Sequence, residues 1–388
     1  MMARLSMNLM DTQPVVVGFP YMANGRGEDT RSALRALVAA GLDARVYDLF
    51  QMRPYTDPGH VAVVGNRLTD RLSETINLFI LNGNEIEGAF ERLGGKLSAS
   101  ACNIVYPAWE LSRYPAAWGA LLDRFDEVWT HSPFSAEALS GATTKRCLAI
   151  PPATEPVFST FYSRGAFELP ESAFLFLFLF DTRSFIERKN PYAVVEAFQT
   201  FLRRHSFADA RLVIKVADSH GANPQMEAFR SDLNRDSDRI ILMDRLLTDN
   251  ELKNLIRLCD CFVSLHRAEG LGRGMAEAMY LGKPVIATAY SGNLAFMDAD
   301  KALLVDYRLI PVPEEAYPCW QDQVWADPDV EQAAQYMEQL YRDRSLARDI
   351  GQRAALSMRT GFSFLAAGLR FKERLDRLMA VEGEPNGR

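Results

Sequence analysis

No stretch of this sequence approaches the ~18 consecutive apolar residues of a membrane-spanning helix, and the longest apolar run, Phe174 to Phe180, has the length of a buried strand. The first residues include Arg4, Met7, Asn8, Asp11 and Gln13 and lack the apolar core of a secretory signal, so a cytoplasmic chain is expected. There is no long Lys/Arg run, and the formal net charge is -7, which argues against a nucleic-acid partner. Cysteine is sparse and odd in number: Cys102, Cys147, Cys259, Cys261 and Cys319 are spread out and mostly sit in apolar runs, as reduced core thiols do. The spacing of Cys259 and Cys261 would put both on one face of a strand, but no second Cys/His pair lies nearby to complete a zinc site. His60, His131, His205, His220 and His266 are equally scattered, and neither a solenoid-length repeat nor a low-complexity tract is present.

What remains is an ordinary globular composition, 48% hydrophobic and 24% charged, over 388 residues, more than one core usually serves. Apolar runs at Pro14 to Phe19, Ala44 to Phe50, Leu78 to Leu81, Cys102 to Tyr106, Glu127 to His131 and Cys147 to Ile150 alternate with helix-like stretches at Thr30 to Ala40 and Asp70 to Glu74. Pro151-Pro152 interrupts the pattern, and the segment to Pro170 reads as a linker. The alternation then restarts with strands at Phe174 to Asp181, Arg211 to Val216, Ile240 to Met243, Cys261 to Leu265 and Pro284 to Ala289. Helices are expected between them at Pro191 to Arg204, Met226 to Asn234, Asp249 to Leu258 and Gly274 to Leu281. This predicts an α/β protein with two doubly wound parallel-sheet domains, residues 1 to 165 and 170 to 360. Helical patterns close the chain at Asp329 to Arg344, Ser345 to Met358 and Phe362 to Met379. In such sheets ligands sit beyond the carboxyl ends of the strands, at helix N-termini.

The strongest signal follows the strand at Cys261. Its loop carries Glu269, Gly270, Leu271, Gly272 and Gly274, and a helix containing Glu277 starts at once and stops at Gly282 before Pro284. Taken singly, Glu269 reads as a helix cap and Glu277 as a solvated helix residue; three glycines at a helix start turn the reading toward a ligand site. Eight positions apart, the carboxylates would lie roughly 8 to 12 Å from each other, given ~1.5 Å of rise per helical residue. That span suits the two ends of one ligand, each acid accepting from a pair of vicinal hydroxyls with an anion between them at the helix N-terminus.

Glu269-Gly270-x-Gly272, Glu277-Ala278-Met279 and Gly282-x-Pro284-Val285-Ile286-Ala287 together resemble the E-x7-E segment of the bacterial-type retaining family 4 glycosyltransferases. The resemblance implies a GT-B fold of two facing Rossmann-like domains with a deep cleft, and a terminal helix, 362 to 380, crossing back to the first, acceptor-side domain. It implies that Glu269 holds the donor sugar and Glu277 the ribose, with Gly270, Leu271 and Gly272 offering backbone N–H groups. Arg273-Gly274 departs from the family, which has apolar residues and proline there. The segment Asp181 to Pro191 resembles the family's basic loop, in which Arg183 and Lys189, then Arg188, would neutralise the donor diphosphate; alone it reads as a charged loop before a helix whose first residue is Pro191. The segment Tyr106 to Pro115 resembles the acceptor-facing region of a polysaccharide-assembly branch. It sets Trp109 against acceptor sugar or in the core, and gives Glu110 a candidate base role. Gly25 and Gly27 stand where the family has a glycine-rich loop near the diphosphate.

Two D-x-D triplets, Asp298-Ala299-Asp300 and Asp236-Ser237-Asp238, read as surface acids, since the resemblance implies metal-independent transfer with no cofactor. The expected partners are a UDP- or GDP-hexose donor and a saccharide or lipid-linked saccharide acceptor in surface polysaccharide synthesis. A lipid-linked acceptor would bring peripheral contact with the inner face of the membrane, yet the first 160 residues carry 14 Lys/Arg against 17 Asp/Glu and supply no broad basic face. Two other classes stay open. Gly25-x-Gly27 with Asp48 about 20 residues on is a partial nicotinamide-dinucleotide fingerprint, although the loop from Gly18 is too long, contains Pro20 and lacks a third glycine. The other is a non-catalytic nucleotide-sugar sensor of the same fold.

Overall fold

The computed structural model describes residues 9–53, 57–94, 97–98, 100–217, 224–233 and 238–381. In chain order its elements are β1 (Val15–Gly18), α1 (Gly25–Ala39), β2 (Arg45–Asp48), α2 (Pro58–Val64), β3 (Leu68–Thr69), β4 (Ile76–Phe79), α3 (Gly83–Arg92) and β5 (Cys102–Val105). There follow α4 (Ala116–Leu122), β6 (Glu127–Thr130), α5 (Pro133–Ser140), β7 (Cys147–Ala149), β8 (Phe174–Asp181), α6 (Ile186–Lys189), α7 (Pro191–Arg204), β9 (Ala210–Ala217) and α8 (Pro224–Leu233). The remainder is β10 (Ile240–Met243), α9 (Asp249–Leu258), β11 (Cys261–Ser264), α10 (Arg273–Tyr280), β12 (Val285–Thr288), β13 (Leu303–Val305), β14 (Tyr307–Pro311), β15 (Val324–Pro328), α11 (Val330–Arg342), α12 (Arg344–Gly361) and α13 (Phe364–Val381). None of the helices among the described residues is long and apolar enough to cross a membrane.

These elements form two compact units. Of the described residues, those up to Trp109, Arg113–Glu155 and those from Thr360 onward make the first; Glu110–Ser112 and Pro156–Arg359 make the second. The first holds a seven-stranded parallel sheet in the order β3-β2-β1-β4-β5-β6-β7. α13 packs along α1 so closely that a Cβ on Gly368 would stand 1.9 Å from the Ala36 carbonyl oxygen. The second holds a six-stranded parallel sheet, β10-β9-β8-β11-β12-β13, with a separate antiparallel pair β14-β15. The fold class read from the alternating pattern is therefore the one observed.

Phe174 to Asp181 shows why. Phe174, Phe176, Phe178 and Phe180 belong to the core that takes in α7 and α11, while the alternate Leu175 and Leu177 are buried on the other face. A central parallel strand covered on both faces has no solvent side, so it reads as an unbroken apolar run.

Several elements differ from expectation. Asp70 to Glu74 is not helical: the Ser73 hydroxyl accepts from the N–H groups of Thr75 and Ile76, and Asn77 Oδ1 takes the Ser73 N–H at 2.8 Å. Local side-chain acceptors there outcompete the helix. β2 is shorter than Ala44 to Phe50, because the buried Asp48 carboxylate accepts the Gln51 N–H at 3.1 Å and Gln51 turns to a φ of 54°. The segment read as a linker is fastened down: Tyr162 N–H donates to Asn254 Oδ1 and Arg164 to the Leu258 carbonyl, both on α9. The sequence reading did not anticipate β3, β13, the helices α2 to α6 or the β14-β15 pair. Asn234, Asp236, Ser237 and His220 lie outside the described residues.

Candidate functional site

The order of the second sheet reverses between β8 and β11, which are neighbours although they are not consecutive in the chain. Chains leaving adjacent strands there turn to opposite sides and open a crevice beyond the strand ends. Both segments singled out in the sequence, 181–191 and 266–274, emerge at that point. Cross-ties hold the loops together: Arg267 N–H donates to the Arg188 carbonyl at 2.8 Å, and Asn190, in the left-handed region with φ 55°, donates its side-chain N–H to the Leu265 carbonyl at 2.9 Å.

Glu269 is the hub. Lys189 Nζ donates to its Oε1, Arg188 Nη1 lies 3.4 Å from its Oε2, and the Ser291 hydroxyl receives its N–H at 2.8 Å. Burial alone would raise the Glu269 pKa, but Lys189 and then Arg188 outweigh it and hold the carboxyl down at about 2. For Arg188 burial works against the charge, while Glu269 and then Glu110 more than compensate and keep the pKa above its ordinary value. Burial lowers the Lys189 pKa; Glu269 only partly restores it, and Arg188 lowers it further. Arg188 also donates to the Ala268 carbonyl at 2.7 Å and stands 3.8 Å from Glu110 Oε1. Glu110 Oε2 accepts from the Tyr317 hydroxyl. Four of the expected residues thus meet in one cluster: Glu269 and Arg188, which are buried, and Lys189 and Glu110, which are half-buried.

Arg183 turns to a carboxylate on its own loop. Its guanidinium returns to Asp181, with contacts of 3.0 and 2.7 Å, and its side chain is 45% exposed. Asp181 caps the short turn Thr182–Ser184 and so fixes Arg183 on its own loop.

The glycines have distinct jobs. Gly272 precedes α10 at a φ of 86°, a conformation that L side chains rarely adopt. Gly270 is where the next loop crosses: a Cβ on Gly292 would lie 2.0 Å from the Gly270 carbonyl oxygen, and the Gly292 N–H donates to the Glu269 carbonyl at 2.8 Å. Leu271 is buried between them. Glu277 lies within α10 and is buried, not solvated, and Glu269 caps no helix. Sequence reasoning missed the support beneath this loop. The fully buried His266 meets Ser264 Oγ at 3.0 Å and Asn293 Oδ1 at 3.1 Å, and burial lowers its pKa, leaving it neutral.

In the first unit, Trp109 is buried against Tyr114 and Trp118 with its Nε1–H on the Arg113 carbonyl at 2.9 Å. Of the two readings left open for it, these contacts are those of core packing. Gly27 gives its N–H to the side chain of Asn24, the N-cap of α1, and a Cβ there would meet the Met22 carbonyl oxygen at 2.0 Å; that N–H is not spare for a phosphate. A Cβ on Gly25 would meet nothing within 4 Å. Asp48 is held by Arg53 and the Gln51 N–H, so the partial dinucleotide fingerprint has its acid and one glycine N–H engaged locally. Asp298 pairs with Lys301 at 2.6 Å and takes the Asp300 N–H at 3.1 Å, a local surface arrangement. A cavity of about 870 Å³ in the first unit, lined by Arg45, Tyr47, Arg53 and Arg71 among others, shares no residue with the Glu269 cluster.

Residues 168–357, which lie within the second unit, match the family described as Glycosyl transferases group 1. Among solved structures, HepE of Anabaena bound to UDP-glucose has 12% identity and a TM-score of 0.67, over 94% of this chain and 100% of that one. Sucrose-phosphate synthase of Thermosynechococcus elongatus has 15% identity and a TM-score of 0.65, over 95% and 100%. An S. aureus TarM mutant in complex with fondaparinux, alpha-GlcNAc-glycerol and UDP has 11% identity and a TM-score of 0.55, over 78% of this chain and 56% of that one; the chain thus spans about half the length of TarM. At these identities the likeness is one of fold: two parallel-sheet α/β units of the GT-B type. No curated protein matched the chain.

Proposed function

We propose that this chain is a retaining, metal-independent glycosyltransferase that moves a hexose from a UDP- or GDP-hexose to a saccharide or lipid-linked saccharide acceptor. The observation that carries the reading is the convergence of Lys189 and Arg188 on Glu269 at the switch point of the second sheet. In this reading Glu269 accepts from hydroxyls of the donor hexose and Glu277 from the ribose. The diphosphate lies between them, at the start of α10 and beside Lys189 and Arg188. As the glycosidic bond breaks, negative charge grows on the leaving phosphate, and fixed cations in a buried site stabilise it more than water does. Arg183, on the more exposed side of the same loop, contributes at longer range. Retention follows if the acceptor hydroxyl attacks from the face that the diphosphate leaves, with a phosphate oxygen taking its proton. The UDP ligands of HepE and TarM make uridine the first base to test.

The test is nucleoside diphosphate release from UDP- and GDP-hexoses, with and without EDTA, with the product's anomeric configuration read by NMR. Release by one donor class, unaffected by EDTA and lost in Lys189→Met, supports the proposal. An inverted product would overturn retention, and an EDTA-sensitive rate would overturn metal independence. Release unchanged in Lys189→Met would overturn the site.

A further inference from the structure

The β14-β15 pair is an excursion between β13 and α11, and it reaches the Glu269 cluster. It is bolted to the loop that carries Glu269: Ala326 N–H donates to the Arg267 carbonyl at 2.9 Å, and the Arg267 guanidinium pairs with Asp327 at 2.9 Å. The segment joining the two strands holds three non-glycine residues at positive φ, Glu315 (60°), Cys319 (54°) and Asp322 (57°), a cost that persists only where surrounding contacts fix the path. That path delivers Tyr317 to the site, buried, with its ring edge-on to Phe185 at 4.9 Å, the Arg188 guanidinium 5.7 Å from its centroid, and its hydroxyl donating to Glu110.

Around this point the charges balance. Arg188 and Lys189 face Glu269 and Glu110, and Arg188 sits 3.4 and 3.8 Å from the two carboxylates, both longer than the 2.7–2.9 Å typical of a charge-assisted hydrogen bond. The Ala268 and Ser184 carbonyls, at 2.7 and 3.2 Å, hold the guanidinium in place, while its charge is shared between the two acids at distances that leave each carboxylate without a short bond to it.

We propose that Tyr317 is a positioning residue that holds Glu110 beside Arg188 as an internal counter-ion competing with the diphosphate, so that the nucleoside diphosphate product is released. This role rests on the transferase reading. When the donor's phosphates draw Arg188 and Lys189, Glu269 is free to turn to the sugar, while Glu110, tethered by Tyr317, stays as a negative charge near the leaving group. Its repulsion weakens product binding.

The experiment is calorimetric titration of UDP and GDP into the full chain, wild type, Tyr317→Phe, Glu110→Gln and the double variant, with steady-state kinetics alongside. Glu110→Gln should bind the diphosphate about tenfold tighter, the equivalent of ~1.4 kcal/mol. Tyr317→Phe, which keeps the ring and loses the tether, should bind more tightly by a smaller factor, and the double variant no more tightly than Glu110→Gln. In both single variants kcat falls together with KM. A purely structural tyrosine gives weaker or unchanged binding, and that result, or additive effects in the double variant, overturns the proposal. Wild type that binds neither nucleotide overturns the transferase reading itself; wild type that binds, with variants binding no tighter, overturns this role alone.

Discussion

Replacing Glu269 by glutamine keeps the side chain's size and removes the charge on which Lys189 and Arg188 converge. In the folded chain the carboxyl is held at about 2 against an ordinary 4.5, a difference on the order of 3 kcal/mol of stability at neutral pH. The sign is that of a depressed acid: the contribution is complete above the unfolded value and drains away as pH falls toward the folded one. Wild type should therefore exceed Glu269→Gln by about 3 kcal/mol at pH 7 and by about 2 kcal/mol at pH 3.5. Because the two units need not unfold together, the difference is best read locally, by hydrogen exchange of peptides spanning 261–280 under increasing urea. A gap that stays constant from pH 7 to pH 3.5 would show that the variant loses packing alone and would refute the ion-cluster argument.

Three further outcomes follow from single contacts. Gly292→Ala places a Cβ 2.0 Å from the Gly270 carbonyl oxygen, so it should cost about 2 kcal/mol and displace the 269–272 loop, weakening nucleotide binding at least tenfold in titration. Gly368→Ala meets the Ala36 carbonyl oxygen at 1.9 Å in the first unit; it should lower the thermal midpoint by about 2–4 °C or more while leaving nucleotide affinity unchanged. Lys189→Met should slow donor turnover roughly 100-fold, whereas Arg183→Met, already turned to Asp181, should slow it less than about fivefold; equal losses would place Arg183 in the cluster after all.

How far the sequence disclosed this depended on how local each signal was. The Phe/Leu alternation of β8 and the glycine-rich start of α10 are written in consecutive residues, and both appear where the pattern puts them. Lys189 and Glu269 were legible as separate motifs; their meeting depends on β8 and β11 being neighbours, which a doubly wound order supplies. The pairing of Arg183 with Asp181, two residues away, is a choice made by side-chain geometry that the basic run from Arg183 to Lys189 does not disclose. Trp109 was ambiguous because an aromatic that stacks on sugar and one that fills a core have the same sequence signature, and only Tyr114 and Trp118 decide between them. Tyr317 had no local signal: it lies 207 residues from its partner Glu110, on an antiparallel excursion that breaks the alternating pattern. The pairing of His266 with Asn293 left no local signal either, because the two stand 27 residues apart in the chain.

Thermal shift reads whether the second unit binds a nucleoside diphosphate sugar through Glu277 and the Glu269 cluster. The ligands are UDP, GDP, their common hexose conjugates and NAD, with and without EDTA, on wild type and Glu277→Ala. A ligand bound only by the native state stabilises it by about 2.7 kcal/mol at a concentration 100 times its Kd. A raised midpoint is expected with one nucleoside diphosphate and its hexose conjugate, unaffected by EDTA and diminished in Glu277→Ala. A response to NAD alone, or a nucleotide response unchanged in Glu277→Ala, would contradict it.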